Sequence, residues 1–145
     1  ALLKLIKKPK KITALEINKK ACDIIKKKLP NVEVINQSIK NFKITKKYDL
    51  VLSKGFLIHI NPKQLPLVYE KIFNSTKKYI LICEYYSTNP KNEDYRHHKD
   101  KLFKRDFAGE LLRKYKKLKL IDYGFIYHRD KFPQDDLTWF LLKKL

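Results

Sequence analysis

Apolar residues along this 145-residue chain fall into two alternating kinds of run: short continuous ones rich in branched side chains, and longer ones spaced by three and four. Ile12–Ile17, between Pro9 and Asn18, is too short for a helix and predicts a buried strand. From Lys19 to Leu29, Ala21, Cys22, Ile24, Ile25 and Leu29 recur at helical steps between lysines, and Pro30 supplies a stop. Val32–Ile35 and Tyr48–Ser53 (YDLVLS) are strand-like. Pro62–Thr76 sets Leu65, Val68, Tyr69, Ile72 and Phe73 on one helical face, and Tyr79–Tyr85 (YILICEY) is a further strand.

Strands that alternate with helices and read as continuous apolar runs predict βαβ units and a parallel sheet covered on both faces. The expected fold class is therefore α/β, Rossmann-like, with a mostly parallel sheet flanked by helices. The last third departs from this pattern. Arg105–Tyr115 reads as a helix, then Leu118–Tyr127 and Leu137–Leu142 as strands with no helix between them. Nine residues containing Pro133 and three aspartates join those strands, so an antiparallel carboxy-terminal edge hairpin is expected. No internal repeat and no Gly/Ser linker interrupts the chain, which predicts a single domain over 1–145.

Composition adds a formal net charge of +19, from 34 Lys plus Arg against 15 Asp plus Glu. Only four of those 34 are Arg, whereas Ile and Asn are abundant, as codon bias in an AT-rich genome produces. A nucleic-acid reader leans on the bidentate Arg fork, so the charge reads first as a solvated surface and second as a polyanion-binding face. The 43% apolar content excludes a disordered basic tail, and no apolar run approaches the roughly 20 residues of a membrane span. A cytoplasmic protein with Cys22 and Cys83 reduced is expected.

In open α/β sheets ligands bind beyond the carboxyl ends of the strands. Glu16 lies at the first such end, where a carboxylate can accept hydrogen bonds from both hydroxyls of a ribose; the structural alternative is a strand-end acid paired with a lysine. Asn36–Ile39 follows the second strand. Ser53–Ile60 follows the third, with Gly55 permitting close backbone approach. Glu84–Tyr86 follows the fourth and adds polar and aromatic groups.

Taken together, Glu16, the Ser38–Ile39 turn, YDLVLSKGFLIHINP (Tyr48–Pro62) and YILICEYY (Tyr79–Tyr86) resemble the middle and later motifs of class I S-adenosylmethionine-dependent methyltransferases. KLFKRDFAGELL (Lys101–Leu112), DYGFIYHRD (Asp122–Asp130) and FPQDDLTWFLL (Phe132–Leu142) resemble, more narrowly, the methylase associated with pseudaminic acid biosynthesis. The resemblance implies S-adenosylmethionine as cofactor. It further implies that Glu16, with Ile17 and Asn18, holds the ribose, that Ser38 and Ile39 border the adenine, and that Ser53, Lys54 and Gly55 line the approach to the methyl end. The family's glycine-rich turn, about 20 residues before the ribose-binding acid, has no counterpart here, because no glycine precedes Glu16. Ala1–Lys7 (ALLKLIK) reads as the helix that follows that turn. The expectation is an amino-terminally truncated chain without the first, central strand, binding the cofactor weakly.

For an acceptor that must lose a proton, His59 is the candidate base, one helical turn beyond Gly55, against the alternative of a packed helix-start histidine. Tyr85, Tyr86, Tyr95 and His128 are candidates to wall a substrate pocket. The polar stretch Ser87–Phe103 reads as an irregular, substrate-facing lid that offers Arg96, Lys101 and Arg105 to an anionic, small-molecule sugar acceptor. His97 and His98 beside Glu93 and Asp94 do not make a metal site, since adjacent histidines in a loop cannot both face one ion. A nicotinamide-dependent oxidoreductase is the third reading, after methyl transfer and polyanion binding. It lacks a Ser/Tyr-x-x-x-Lys set on a helix.

Overall fold

The computed structural model describes residues 11–95, 98–131 and 135–145; for Tyr95 and residues 98–101 it describes the backbone alone. The Ala1–Lys7 helix, Arg96 and His97 lie outside the described residues, as do the side chains of Tyr95, His98 and Lys101. Two compact units make up the chain, Ala1–Lys43 and Ile44–Leu145.

Among its described residues, the first unit holds one βαβ turn: β1 (Ile12–Glu16), α1 (Lys19–Lys28) and β2 (Val32–Asn36). The two strands pair in parallel with a constant offset, from Ile12 opposite Val32 to Glu16 opposite Asn36. Parallel pairing requires a crossover, and α1 provides it. Asn18 caps the helix by accepting from the Ala21 N–H (3.2 Å), Cys22 is fully buried, and Lys26–Lys28 in the last turn complement the helix dipole.

The second unit is built on a four-stranded sheet in the order β3–β4–β8–β7. β3 (Tyr48–Lys54) and β4 (Thr76–Glu84) are parallel, joined over one face by short 3-10 turns at Leu57–His59 and Pro62–Gln64 and by α2 (Leu65–Ser75). β8 (Leu137–Lys144) runs antiparallel to β4 and to the edge strand β7 (Leu118–Ile126). The carboxy-terminal edge hairpin is the one expected from the apolar pattern, whereas the sheet is mixed rather than mostly parallel, with β3–β4 its one parallel pair. Ile80, Ile82 and Leu142 are fully or almost fully buried, as are Leu65 and Val68 of α2 and Phe107 and Leu111 of α3 (Phe107–Lys114). α2 and α3 meet through one polar chain: Tyr69 Oη donates to Glu110 Oε2 (2.8 Å), and Glu110 Oε1 accepts from Arg105 Nε (2.8 Å). Burial beside Glu110 pushes the Tyr69 phenol upward.

One segment differs from its sequence-based expectation. Ser87–Phe103 is not irregular: β5 (Lys91–Tyr95) and β6 (His98–Lys104) form an antiparallel hairpin, with Asn92 opposite Phe103 and Glu93 opposite Leu102. Its first strand, KNEDY, is polar throughout, so periodicity carried no trace of it; Leu102 and Phe103, both buried, anchor the second strand beside the Leu57–His59 turn. Among the described residues, no helix is long and apolar enough to cross a membrane.

Candidate active site

In the first unit the strand-end residues converge as a small, pre-formed turn. Glu16 Oε1 accepts from the Asn18 N–H (2.7 Å), which fixes the carboxylate over the start of α1. Asn36 Nδ2, opposite in register, donates to the carbonyls of Glu16 (3.0 Å) and Ile17 (2.9 Å), so the backbone that carries the acid is held from the neighbouring strand. Ile17 is 70% exposed, an apolar side chain left in water at a strand end. Ser38 Oγ accepts from the Asn41 N–H (3.3 Å) and its carbonyl from Phe42 N (3.0 Å); it shapes the turn on which half-buried Ile39 sits.

In the second unit, register places another group on one rim. β3 and β4 end together, Lys54 lies opposite Cys83, Glu84 lies opposite Thr138 at the start of β8, and Leu137 lies opposite Ile126 at the end of β7. Gly55, Tyr85, Tyr86 and the β7–β8 connection with His128 therefore share this edge. Gly55 has φ +57°, the left-handed region, and its N–H reaches the Cys83 carbonyl (3.0 Å).

Glu84 organises that rim. Its side chain is nearly fully buried and accepts from Ser53 Oγ (2.7 Å), Phe56 N (3.0 Å), Leu57 N (3.1 Å) and Ile58 N (3.5 Å). The carboxylate thus replaces the missing acceptors at the start of the 3-10 turn. Burial raises its pKa, and the four donors oppose that shift. The same contacts take Ser53 out of solvent: its hydroxyl is spent on Glu84, which leaves only its main chain for a ligand. His59, at the end of the turn, is exposed.

Beside Glu84, the side chains of Tyr85, Tyr86, Arg105, Thr138 and Phe140 border a surface dimple too tight to hold a water molecule. Tyr86 and Phe140 tilt together at 5.8 Å, and Phe140 continues into a stack with Tyr123 at 6.2 Å. Lys104 lies over the Tyr85 ring (5.6 Å). Arg105 turns its Nε edge to Glu110. At the hairpin mouth, His128 Nδ1 lies 2.9 and 3.1 Å from the two oxygens of Asp136, whose Oδ1 also accepts from the His128 main-chain N–H (2.9 Å). Asp136 was not singled out from the sequence. The available signal was a pair of aspartates before the last strand, facing a histidine just after the preceding one.

A family model described as a methyltransferase domain matches residues 1–79, more than half of the chain. The chain belongs to this methyltransferase family. No curated protein sequence matches it. Among solved structures, this methyltransferase domain is similar to a 1,6-didemethyltoxoflavin N1-methyltransferase from Burkholderia thailandensis solved with 1,6-didemethyltoxoflavin and S-adenosylhomocysteine (TM-score 0.70, 13% identity, covering 92% of this chain and 61% of that one). It is also similar to an N-methyltransferase from Bradyrhizobium japonicum in complex with S-adenosylhomocysteine (TM-score 0.71, 10% identity, 97% and 70%). A third is a methyltransferase from Methanosarcina mazei (TM-score 0.68, 11% identity, 93% and 82%). At these identities the likeness is one of fold, and the chain spans about three fifths of the Burkholderia enzyme.

Proposed function

We propose that this protein transfers a methyl group from S-adenosylmethionine to a small anionic sugar, an intermediate of nonulosonic-acid (pseudaminic acid) metabolism. The methyltransferase family match over residues 1–79 carries the reaction class. The residues fit the cofactor in one respect that the first unit supplies by itself. Glu16 has one carboxylate oxygen tied to its own turn, a second to offer to ribose hydroxyls, and exposed Ile17 beside it for an apolar base. The bound cofactor would supply an electrophilic methyl group on a sulfonium. The chain's own contribution is to align an acceptor and exclude water, since in-line displacement needs no covalent enzyme intermediate.

The side-chain types around Glu84 support the acceptor class. Tyr85, Tyr86 and Phe140 offer ring faces suited to the apolar face of a sugar, and Arg105 presents a guanidinium suited to a carboxylate. Pseudaminic acid itself rests on the resemblance of the later motifs. Calorimetric titration of the full gene product with S-adenosylhomocysteine tests the reaction class. A single site of micromolar affinity is expected, weakened about 10- to 100-fold in Glu16→Ala, as loss of a charged hydrogen-bond pair implies. No heat of binding at millimolar ligand would overturn the reading.

A further inference from the structure

We propose that His128, oriented by Asp136, is the general base that takes the acceptor's proton; the inference rests on the methyl-transfer reading above. Three observations carry it. Both Asp136 oxygens lie within 3.1 Å of His128 Nδ1, so the carboxylate dictates a proton on Nδ1 and leaves the lone pair on Nε2. The Asp136 contact to the His128 main-chain N–H and the Tyr127 ring, edge-on at 4.5 Å, fix where the imidazole stands. Finally, Ile126 lies opposite Leu137 at the end of the sheet where β3 and β4 also finish, so the connection that carries the pair stands on the rim with Gly55 and Glu84.

Stability does not explain the arrangement. The two side chains are 50% and 47% exposed, and ion pairs so open to water contribute little to stability. The main-chain N–H alone would suffice to close the hairpin, yet Asp136 also takes the ring. Arg129, Asp130, Lys131 and Asp135 are the other charged groups of this connection among the described residues. Exposure serves the chemistry, because the imidazole must meet an acceptor on one side and return a proton to water.

The step balances without a further reactant. A lone pair on the acceptor oxygen forms the bond to the methyl carbon while the carbon–sulfur pair leaves with sulfur. The hydroxyl proton passes to His128 Nε2 and from there to solvent, which restores the neutral ring.

The test uses the full gene product. In the ligand-free protein, 15N spectra of the histidine rings are expected to show His128 as the Nδ1–H tautomer, with the Asp136→Asn variant losing that bias. With pseudaminic acid as the acceptor probe, His128→Ala and His128→Gln are expected to retain S-adenosylhomocysteine affinity within about twofold. They should lose about 10²- to 10⁴-fold in kcat, with the acidic limb of the pH–rate profile removed. Gln keeps an N–H for Asp136 and cannot take up a proton, so it separates a folding defect from loss of the base. An Nε2–H tautomer in the wild type, or unchanged kcat and pH profile in both variants while the ligand still binds, would overturn the proposal. Absence of S-adenosylhomocysteine binding by the wild type would instead remove methyl transfer itself, and the role of the pair with it.

Discussion

At the scale of single residues, Glu84 shows how one side chain can hold a rim together. A lone carboxylate satisfies a serine hydroxyl and three consecutive main-chain N–H groups, a task usually divided among several caps. Glu84→Ala strips all four donors at once. With about 1–3 kcal/mol for each buried group left unpaired, and water reaching part of the turn, a loss on the order of 3 kcal/mol is expected in denaturant unfolding. The pH dependence has a definite sign. Burial raises the folded-state pKa above its unfolded value, so the folded state binds more protons in the interval between the two. The stabilising contribution is complete below the unfolded value and is lost as pH rises through the folded one. Against Glu84→Gln, which does not titrate, the stability advantage of the wild type is expected to shrink as pH rises above the ordinary carboxylate range. The identity of this acid on the rim was legible from the strand end alone. Its partners were not, because three of the four are N–H groups of a turn 26 to 28 residues away, which carry no sequence signature, and the fourth is the Ser53 hydroxyl on the neighbouring strand.

At the scale of elements, α3 offers a test of capping logic. Asp106 accepts from the Gly109 N–H (2.8 Å), and a Cβ added at Gly109 would run into that carboxylate. Asp106→Ala is expected to lose about 1 kcal/mol, the usual worth of an N-cap. Gly109→Ala has a helix-propensity gain of about 1 kcal/mol but expels the cap, so it should be near neutral in the wild type and stabilising when combined with Asp106→Ala. Thermal unfolding of the two single variants and the double variant reads this dependence on the cap directly. The elements themselves were largely visible in the chain, because buried parallel strands and amphipathic helices leave opposite periodicities. α1, β3 and β7 begin at the residues the pattern predicts, whereas β4 begins three residues earlier, at Thr76, whose hydroxyl caps back onto the Ile72 carbonyl (2.7 Å). The β5–β6 hairpin left no pattern, since backbone pairing rather than a buried face defines it. The same holds for the His128–Asp136 pair, whose members lie eight residues apart and are united only by the closing of the β7–β8 hairpin.

At the scale of the whole molecule, the +19 charge must act on stability, on partners or on both. Lysines dominate it, and flexible ammonium groups crowded on a small surface repel one another over a Debye length of about 30 Å at 0.01 M salt and about 8 Å at 0.15 M. If the charge is a solvated consequence of composition, screening relieves that repulsion. Tm should then rise by several degrees between 0.01 and 0.15 M NaCl at fixed pH, since about 1 kcal/mol moves a domain of this length by roughly 2–4 °C. Binding of a random single-stranded oligonucleotide should meanwhile fade steeply over the same range, as counterion release requires, and be weaker than micromolar at 0.15 M. Sub-micromolar binding that survives 0.15 M salt would demand contacts beyond charge, stacking on exposed rings such as Tyr123, Phe125 and Tyr127 being the available kind. That outcome would make the polyanion the partner that the charge serves. Four arginines argue for the first outcome, because Lys supplies attraction without the forked geometry that fixes a nucleic acid in place.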